Sequence, residues 1–347
     1  MPQSDIKLPQ NDVRRETASI PGRSPQVVGF LLVPGFALMS YASAIEPLRA
    51  ANRLAGRELY AWRHVSVDGA AVQASNGLGI LADHRIGDDV YLDALFVCAG
   101  GNPALFDHQP TLAWLRRLAQ RGVKIGGVSG GPYILARAGL LHGYRCTIHW
   151  EHVPAFVEEF PDLELTRTLY EIDRDRLTCA GGIAALDMMH VLIERAHGHD
   201  LAAQVSEWFL QTETRLGSGP QRMSLRERYG VASPRLLTAL AYMEMHLEEP
   251  VSRDELASAA GVSVRQLERL FADHLGSTIG DHYLRLRLKR AQSLLRETTL
   301  PVIEVAVACG FVSASHFSRA YKSRYGRSPK AERTSVARSE AVGRRPD

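Results

Sequence analysis

The sequence predicts two domains in series: an α/β domain on a mostly parallel sheet, then an all-α domain with two helix-turn-helix units. Three observations lead there. Residues 27–199 alternate continuous apolar runs with helical stretches, the pattern of strands buried on both faces. After residue 234 the pattern is helix, turn, helix, with no β signal. Residues 255–261 (Glu-Leu-Ala-Ser-Ala-Ala-Gly) return as Glu-Val-Ala-Val-Ala-Cys-Gly at 304–310.

In order along the chain, residues 27–33 read as a buried strand and 41–54 as the helix after it. Residues 94–98 form a second strand, 111–120 a helix, 123–128 a third strand and 132–141 its helix. Asp173-Arg174-Asp175-Arg176 reads as a polar turn between strands; two carboxylates without further ligands make no metal site. Trp114 and Trp208 read as core or interface residues. The first 25 residues, polar and holding Pro2, Pro9, Pro21 and Pro25, are expected to be a disordered leader, and 335–347 a disordered tail. The α/β domain is placed at 26–214, a linker at 215–233 and the helical domain at 234–334, the linker resting on the Gly- and Pro-containing stretch 215–222.

Composition narrows the function classes. With 347 residues, 45% hydrophobic and 23% charged, the chain is an ordinary globular protein large enough for two cores. No apolar stretch reaches the roughly 18 residues of a membrane span, so a cytoplasmic protein is expected. Cys98, Cys146, Cys179 and Cys309 form no CxxC pair, which argues against zinc and disulfides; Cys98 and Cys179, in apolar strands, read as small hydrophobes. The net charge of +3 hides an asymmetry: residues 1–220 hold 20 Lys and Arg against 24 Asp and Glu (−4), residues 221–334 hold 18 against 12 (+6). A basic carboxyl-terminal unit suits a polyanion.

Each repeat copy contains the parts of a helix-turn-helix. In the first, Ser252 and Glu255 form a capping box, Ala257 and Ala260 allow close helix packing, and Gly261 supplies a positive φ at the turn. Ser263 caps the next helix with Gln266 as partner; Leu267, Leu270 and Phe271 face inward, leaving Arg265, Gln266 and Arg269 outward. In the second, Gly310 makes the turn, Ser313 caps, Phe317 and Tyr321 face inward, and Ser315, His316, Arg319 and Lys322 are free. Arg can bind guanine bidentately, Gln adenine, and Ser, His and Lys base edges or phosphates. Double-stranded DNA is therefore the expected partner.

Residues 234–333 resemble the DNA-binding domain of the AraC family, above all in the run from Ala308 to Lys322 that ends in Tyr325-Gly326-Arg327-Ser328-Pro329. The resemblance implies two units joined by a long helix, here 279–296, entering successive major grooves, usually with a second protomer nearby.

In the first domain, Gly127-Val128-Ser129-Gly130-Gly131 lies between a strand and a helix started by Pro132. A G-x-S-x-G there is the geometry of a nucleophile elbow, with His149 as candidate base; an elbow that only binds a carboxylate at helix amides reads the same. The domain resembles the PfpI-like branch of the class I glutamine-amidotransferase-like, flavodoxin-like fold. Enzymes of that branch use a Cys where this chain has Ser129, and the acidic residue of many members falls near Ser40, which is not acidic. The expectation is a sensor without catalysis, with a Ser129/His149 amidase or esterase carrying a DNA-binding appendage as the alternative. A constitutive DNA-binding protein with a vestigial sensor is a third reading.

The segments 125–132, 147–150 and 173–182 resemble bacterial regulators of glycine betaine, carnitine or arginine catabolism, and 34–52 with Gln73-Ala74-Ser75-Asn76-Gly77 favours the glycine betaine group. The resemblance implies a zwitterionic effector such as glycine betaine or dimethylglycine. Ser129, His149 and the amides of Gly130 and Gly131 would take its carboxylate, and Trp150 and Tyr41 would face its cationic nitrogen. No cofactor is expected. The expected whole is a homodimeric activator that binds promoter DNA, works with RNA polymerase and changes its arrangement about 215–222.

Overall fold

The computed structural model describes residues 24–334; the tail and nearly all of the leader expected from sequence lie outside them. Strand β1 (Gln26–Leu32) leads through helix α1 (Leu38–Ala55) to β2 (Tyr60–Ser66), then the short strands β3 (Val72–Gln73), β4 (Gly79–Ile80) and β5 (His84–Arg85). Strand β6 (Ala94–Ala99), a 3-10 turn at Pro103–Leu105, α2 (Gln109–Gln120), β7 (Lys124–Ser129), α3 (Gly131–Arg137) and α4 (Val153–Glu159) follow. Strands β8 (Tyr170–Asp173) and β9 (Arg176–Cys179) and helices α5 (Ala184–His197) and α6 (His199–Trp208) complete the domain.

The sheet order is β5-β2-β1-β6-β7-β9-β8, parallel throughout except where β8 runs against β9. Strand residues divide between two cores, as a sheet covered on both faces requires. In β1, Phe30 and Leu32 enter the core beneath α1 and α5, while Leu31 enters the core beneath α2 and α3. Trp114 is buried in the second core, Trp208 is 48% exposed, and the turn expected at 173–176 falls at 174–175, with Asp173 ending β8 and Arg176 beginning β9. Helix α3 stops at Arg137, short of the expected 141, because Gly139 turns left-handed at φ 74° and its N–H closes onto Ala136 O at 2.8 Å.

The second domain comprises α7 (Leu225–Tyr229), α8 (Pro234–Met245), α9 (Arg253–Ala259), α10 (Val264–Leu275), α11 (Ile279–Glu297), α12 (Val302–Ala308) and α13 (Ala314–Tyr325). Both capping boxes form, Ser252 with Glu255 and Ser263 with Gln266, and Ser313 caps α13. Helix α11 is shared: Ile279 and Tyr283 belong to the core of α8–α10, Leu288 to Leu295 to that of α12 and α13. The units also touch at Gly310, where a Cβ would lie 2.5 Å from Pro250 Cγ. From α11, Arg287 donates to Cys309 O at 2.7 Å and Gly310 O at 2.6 Å, meeting carbonyls that α12 leaves open.

The stretch 215–222, expected as a linker, is fastened to the first domain. Arg215 pairs with the fully buried Asp187 at 2.6 Å, Leu169 N–H donates to Gly217 O at 2.7 Å, and Gln221 Nε2 reaches Thr168 O at 2.7 Å. Its polar groups find partners beside the sheet.

Candidate functional site

The elbow lies at the carboxyl end of β7, where ligands of open α/β sheets bind. Ser129 has φ 59° and is 6% exposed; a non-glycine residue held left-handed stores about 1–2 kcal/mol. Helix α3 begins immediately because Gly131 has no side chain: a Cβ there would come within 2.0 Å of Val97 O. The loop after β9 closes over the elbow, since a Cβ on Gly181 would lie 2.7 Å from both Ser129 Cβ and Ser40 Oγ. Ser40 thus borders the elbow, and its Oγ accepts from Gly182 N–H at 2.7 Å.

The two elbow amides differ. Gly130 N–H donates to Ala99 O at 3.1 Å, so it is not available to a carboxylate as sequence suggested: the β6–β7 ladder pairs Ala99 with Ser129 and carries its bonding one residue into the elbow. Gly131 N–H has no protein partner among the described residues.

His149 is brought to the elbow by its own N–H, which donates to Ser129 O at 3.3 Å. Burial, aided by His152 and opposed by Glu151, holds its imidazole below the ordinary histidine value, so the neutral ring prevails near pH 7. Its Nδ1 accepts from Glu151 N–H at 3.4 Å, and the Glu151 carboxylate, at 3.9 Å, is beyond hydrogen-bond reach. A neutral ring accepting at Nδ1 carries its proton on Nε2. That tautomer can donate to an anion. A general base needs the opposite one, with Nδ1–H given to a carboxylate and Nε2 free to take a proton. No side-chain hydrogen bond joins Ser129 to His149 among the described residues.

Trp150 lies beside His149, ring centroids 5.3 Å apart, and is 37% exposed. The guanidinium of Arg222 lies over its indole, 4.8 Å from the ring centroid. Tyr41 goes elsewhere: the residue is 7% exposed, its ring packs edge-on against Phe30 and Phe36, and its hydroxyl meets His64 Nε2 at 2.6 Å. An aromatic so enclosed belongs to the core.

The loop carrying His149 continues into α4, which packs on α11. His152, whose ring lies 5.8 Å from that of His149, donates from Nδ1 to Glu297 Oε2 at 3.0 Å, with the residues 3% and 7% exposed. Ser293 Oγ lies 3.0 Å from Glu297 Oε1 and 3.2 Å from Glu151 O. Asn102 donates to Arg296 O, and Arg290 stands 3.7 Å from both Glu158 and Glu248. No sequence motif pointed to this junction.

On the helical domain, Arg265, Gln266 and Arg269 of α10 and Ser315, His316, Arg319 and Lys322 of α13 are all exposed, with Leu267, Phe271, Phe317 and Tyr321 buried behind them. Gln266 is committed in part: its Oε1 accepts from Ser263 N–H at 3.0 Å, so only its amide NH2 is free unless the cap opens. Among the described residues no helix is long and apolar enough to cross a membrane, and no three metal-ligating side chains cluster.

Known proteins show the same two parts. The chain matches the DJ-1/PfpI family over residues 28–195 and a helix-turn-helix domain family over 256–335. It is 45% identical over 311 residues to the HTH-type transcriptional regulator GbdR of Pseudomonas aeruginosa, covering 90% of this chain and 85% of that one. It is 46% identical to the regulator CdhR of the same species, covering 88% and 90%, and 44% identical to the regulator GlxA of Rhizobium meliloti, covering 90% and 97%. In fold alone it resembles a ThiJ/PfpI family protein from Pseudomonas syringae, at 22% identity and TM-score 0.51 over 74% of this chain and 98% of that one.

Proposed function

Because the chain belongs to the AraC-type helix-turn-helix transcriptional regulators that carry an amino-terminal DJ-1/PfpI domain, we propose that its elbow senses a small zwitterion and performs no catalysis. The effector class is glycine betaine or dimethylglycine, with carnitine or arginine as the alternative. Gly131 N–H, Ser129 Oγ and the Nε2–H of His149 would hold the carboxylate, and Trp150 would face the cationic nitrogen, a contact worth up to ~2 kcal/mol when desolvated. The amide of Gly130 and the ring of Tyr41 are left out, being engaged elsewhere.

The observation that carries the non-enzymatic reading is the hydrogen bond from Glu151 N–H to His149 Nδ1, which favours the donor tautomer. The output is promoter binding by α10 and α13, as a homodimer acting with RNA polymerase in the cytoplasm. The effector shifts that output by binding one arrangement of the domains more tightly than the other. Glycine betaine, dimethylglycine, carnitine, arginine and choline are titrated calorimetrically into the full chain. The zwitterions should bind, and choline, lacking a carboxylate, should bind weakly. Silence from all four carboxylates would remove the effector class, and ester or amide turnover abolished by Ser129→Ala would make the protein an enzyme.

A further inference from the structure

The indole of Trp150, assigned above to the effector's nitrogen, already carries a cation from the chain itself. Arg222 covers it at 4.8 Å, yet little else holds that guanidinium. Its neighbouring carboxylate, Glu244 of α8, stands 4.0 Å away and is already taken by Arg228, through contacts of 2.6 and 3.2 Å. Burial first, then the positive charge of Arg228, lowers the Arg222 guanidinium below the ordinary arginine value, so its surroundings favour the cation less than water does. The side chain is 37% exposed, so it can swing out without unfolding either domain.

Its backbone position connects the two parts. Gln221 is held against the first domain through Thr147 Oγ1 at 3.1 Å, Ile148 O at 3.0 Å and Thr168 O at 2.7 Å, two of these in the strip leading to His149. Two residues beyond Arg222, Ser224 caps α7, which packs on α8 of the first helix-turn-helix unit.

We propose that Arg222 is a built-in stand-in for the effector's cationic group: it occupies Trp150 in the effector-free protein, fastening the first helix-turn-helix unit to the sensor, and a tertiary or quaternary ammonium displaces it. This rests on the zwitterion reading above. A ligand that must evict a resident cation binds more weakly than one meeting a bare ring, and the eviction is what reports its arrival.

The test compares the full-length wild type with Arg222→Ala and the charge-retaining Arg222→Lys. Each is titrated with glycine betaine and with 3,3-dimethylbutanoate, its carbon isostere without the positive charge. Promoter-fragment binding is measured with and without glycine betaine. Arg222→Ala should bind glycine betaine roughly 2- to 30-fold more tightly than wild type, the range a single cation–π contact spans. The isostere, which fills the same space and is likewise relieved of the eviction, should gain as well while binding more weakly than glycine betaine for want of the cation–π contact, and promoter binding by unliganded Arg222→Ala should match that of betaine-saturated wild type. Arg222→Lys should lie between the two. Equal betaine affinity in wild type and Arg222→Ala, or a gain for betaine with none for the isostere, which would mark charge repulsion in place of occupancy of the ring, overturns the proposal while leaving the effector reading intact. If betaine binds neither protein, the effector reading fails; the unliganded promoter measurement then decides the restraint, upheld by a shift in Arg222→Ala and overturned by none.

Discussion

Glu297→Ala tests whether the junction between the first domain and α11 is held by one buried contact. In the native protein His152 Nδ1–H donates to Glu297 Oε2 at 3.0 Å between residues 3% and 7% exposed. Removing the carboxylate leaves a buried donor without a partner, an orphaning that costs about 1–3 kcal/mol. Ser293 keeps Glu151 O within 3.2 Å and the contact of Asn102 with Arg296 remains, so the loss should appear as local opening. At about 2 kcal/mol the opening equilibrium rises roughly 30-fold, since each 1.4 kcal/mol is tenfold. Hydrogen exchange of the α4 amides in the full chain reads this directly, because exchange through local opening follows its free energy. Protection of α4 should fall by about that factor in Glu297→Ala and by much less in Glu297→Gln, which keeps an acceptor oxygen. Unchanged α4 exchange in Glu297→Ala would refute the reasoning, as would equal effects of Ala and Gln.

Three further outcomes follow from the same structure. Arg269→Ala and Arg319→Ala should each cost roughly 1–3 kcal/mol on the specific promoter site and little on random DNA, whereas Lys322→Ala should weaken both and lower the salt slope by about one; filter or anisotropy titrations at several salt concentrations separate these cases. Ser129→Gly should relieve the left-handed backbone at φ 59° and raise the thermal midpoint by roughly 2–4 °C per kcal/mol recovered, while effector affinity drops with the hydroxyl. His282 is pushed down to about 4 by burial and by Arg285, from an ordinary 6.5. Between those values the unfolded chain binds a proton that the folded chain refuses, so stability present above pH 6.5 is lost as pH falls toward 4. Urea midpoints should therefore decline over that window in wild type and decline less in His282→Gln.

What could be read from the sequence depended on how far apart the partners lie in the chain. The caps at Ser252 and Ser263 join residues three apart, and the turns at Gly261 and Gly310 need only one residue type, so a local pattern carries them. The alternation of Phe30 and Leu31 between two cores is equally local. The spent amide of Gly130 was invisible because it depends on the register of β7 against β6, which no single strand encodes. The pair of His152 and Glu297 spans 145 residues and leaves no periodic trace. Tyr41 looked available because an aromatic near a site reads alike whether its face is open or covered by Phe30 and Phe36. The stretch 215–222 misled through its composition, since polar, Gly- and Pro-containing sequence reports a lack of regular structure and says nothing of the partners, such as Asp187, waiting nearby.

Helix α11 has a role beyond joining the two readers. Its amino-terminal half is built into one core and its carboxyl-terminal half into the other, so the distance and the angle between the units are fixed by a rod of 19 residues, about 28 Å at 1.5 Å per residue. One inserted residue would turn the second unit by about 100° relative to the first, throwing it out of phase with a groove that recurs every ~34 Å. The rod is a ruler. With α10 and α13 as the proposed readers, substitutions on their outer faces would change which bases are read, but the interval between the two readings is written in helix length and moves only when residues are added or removed.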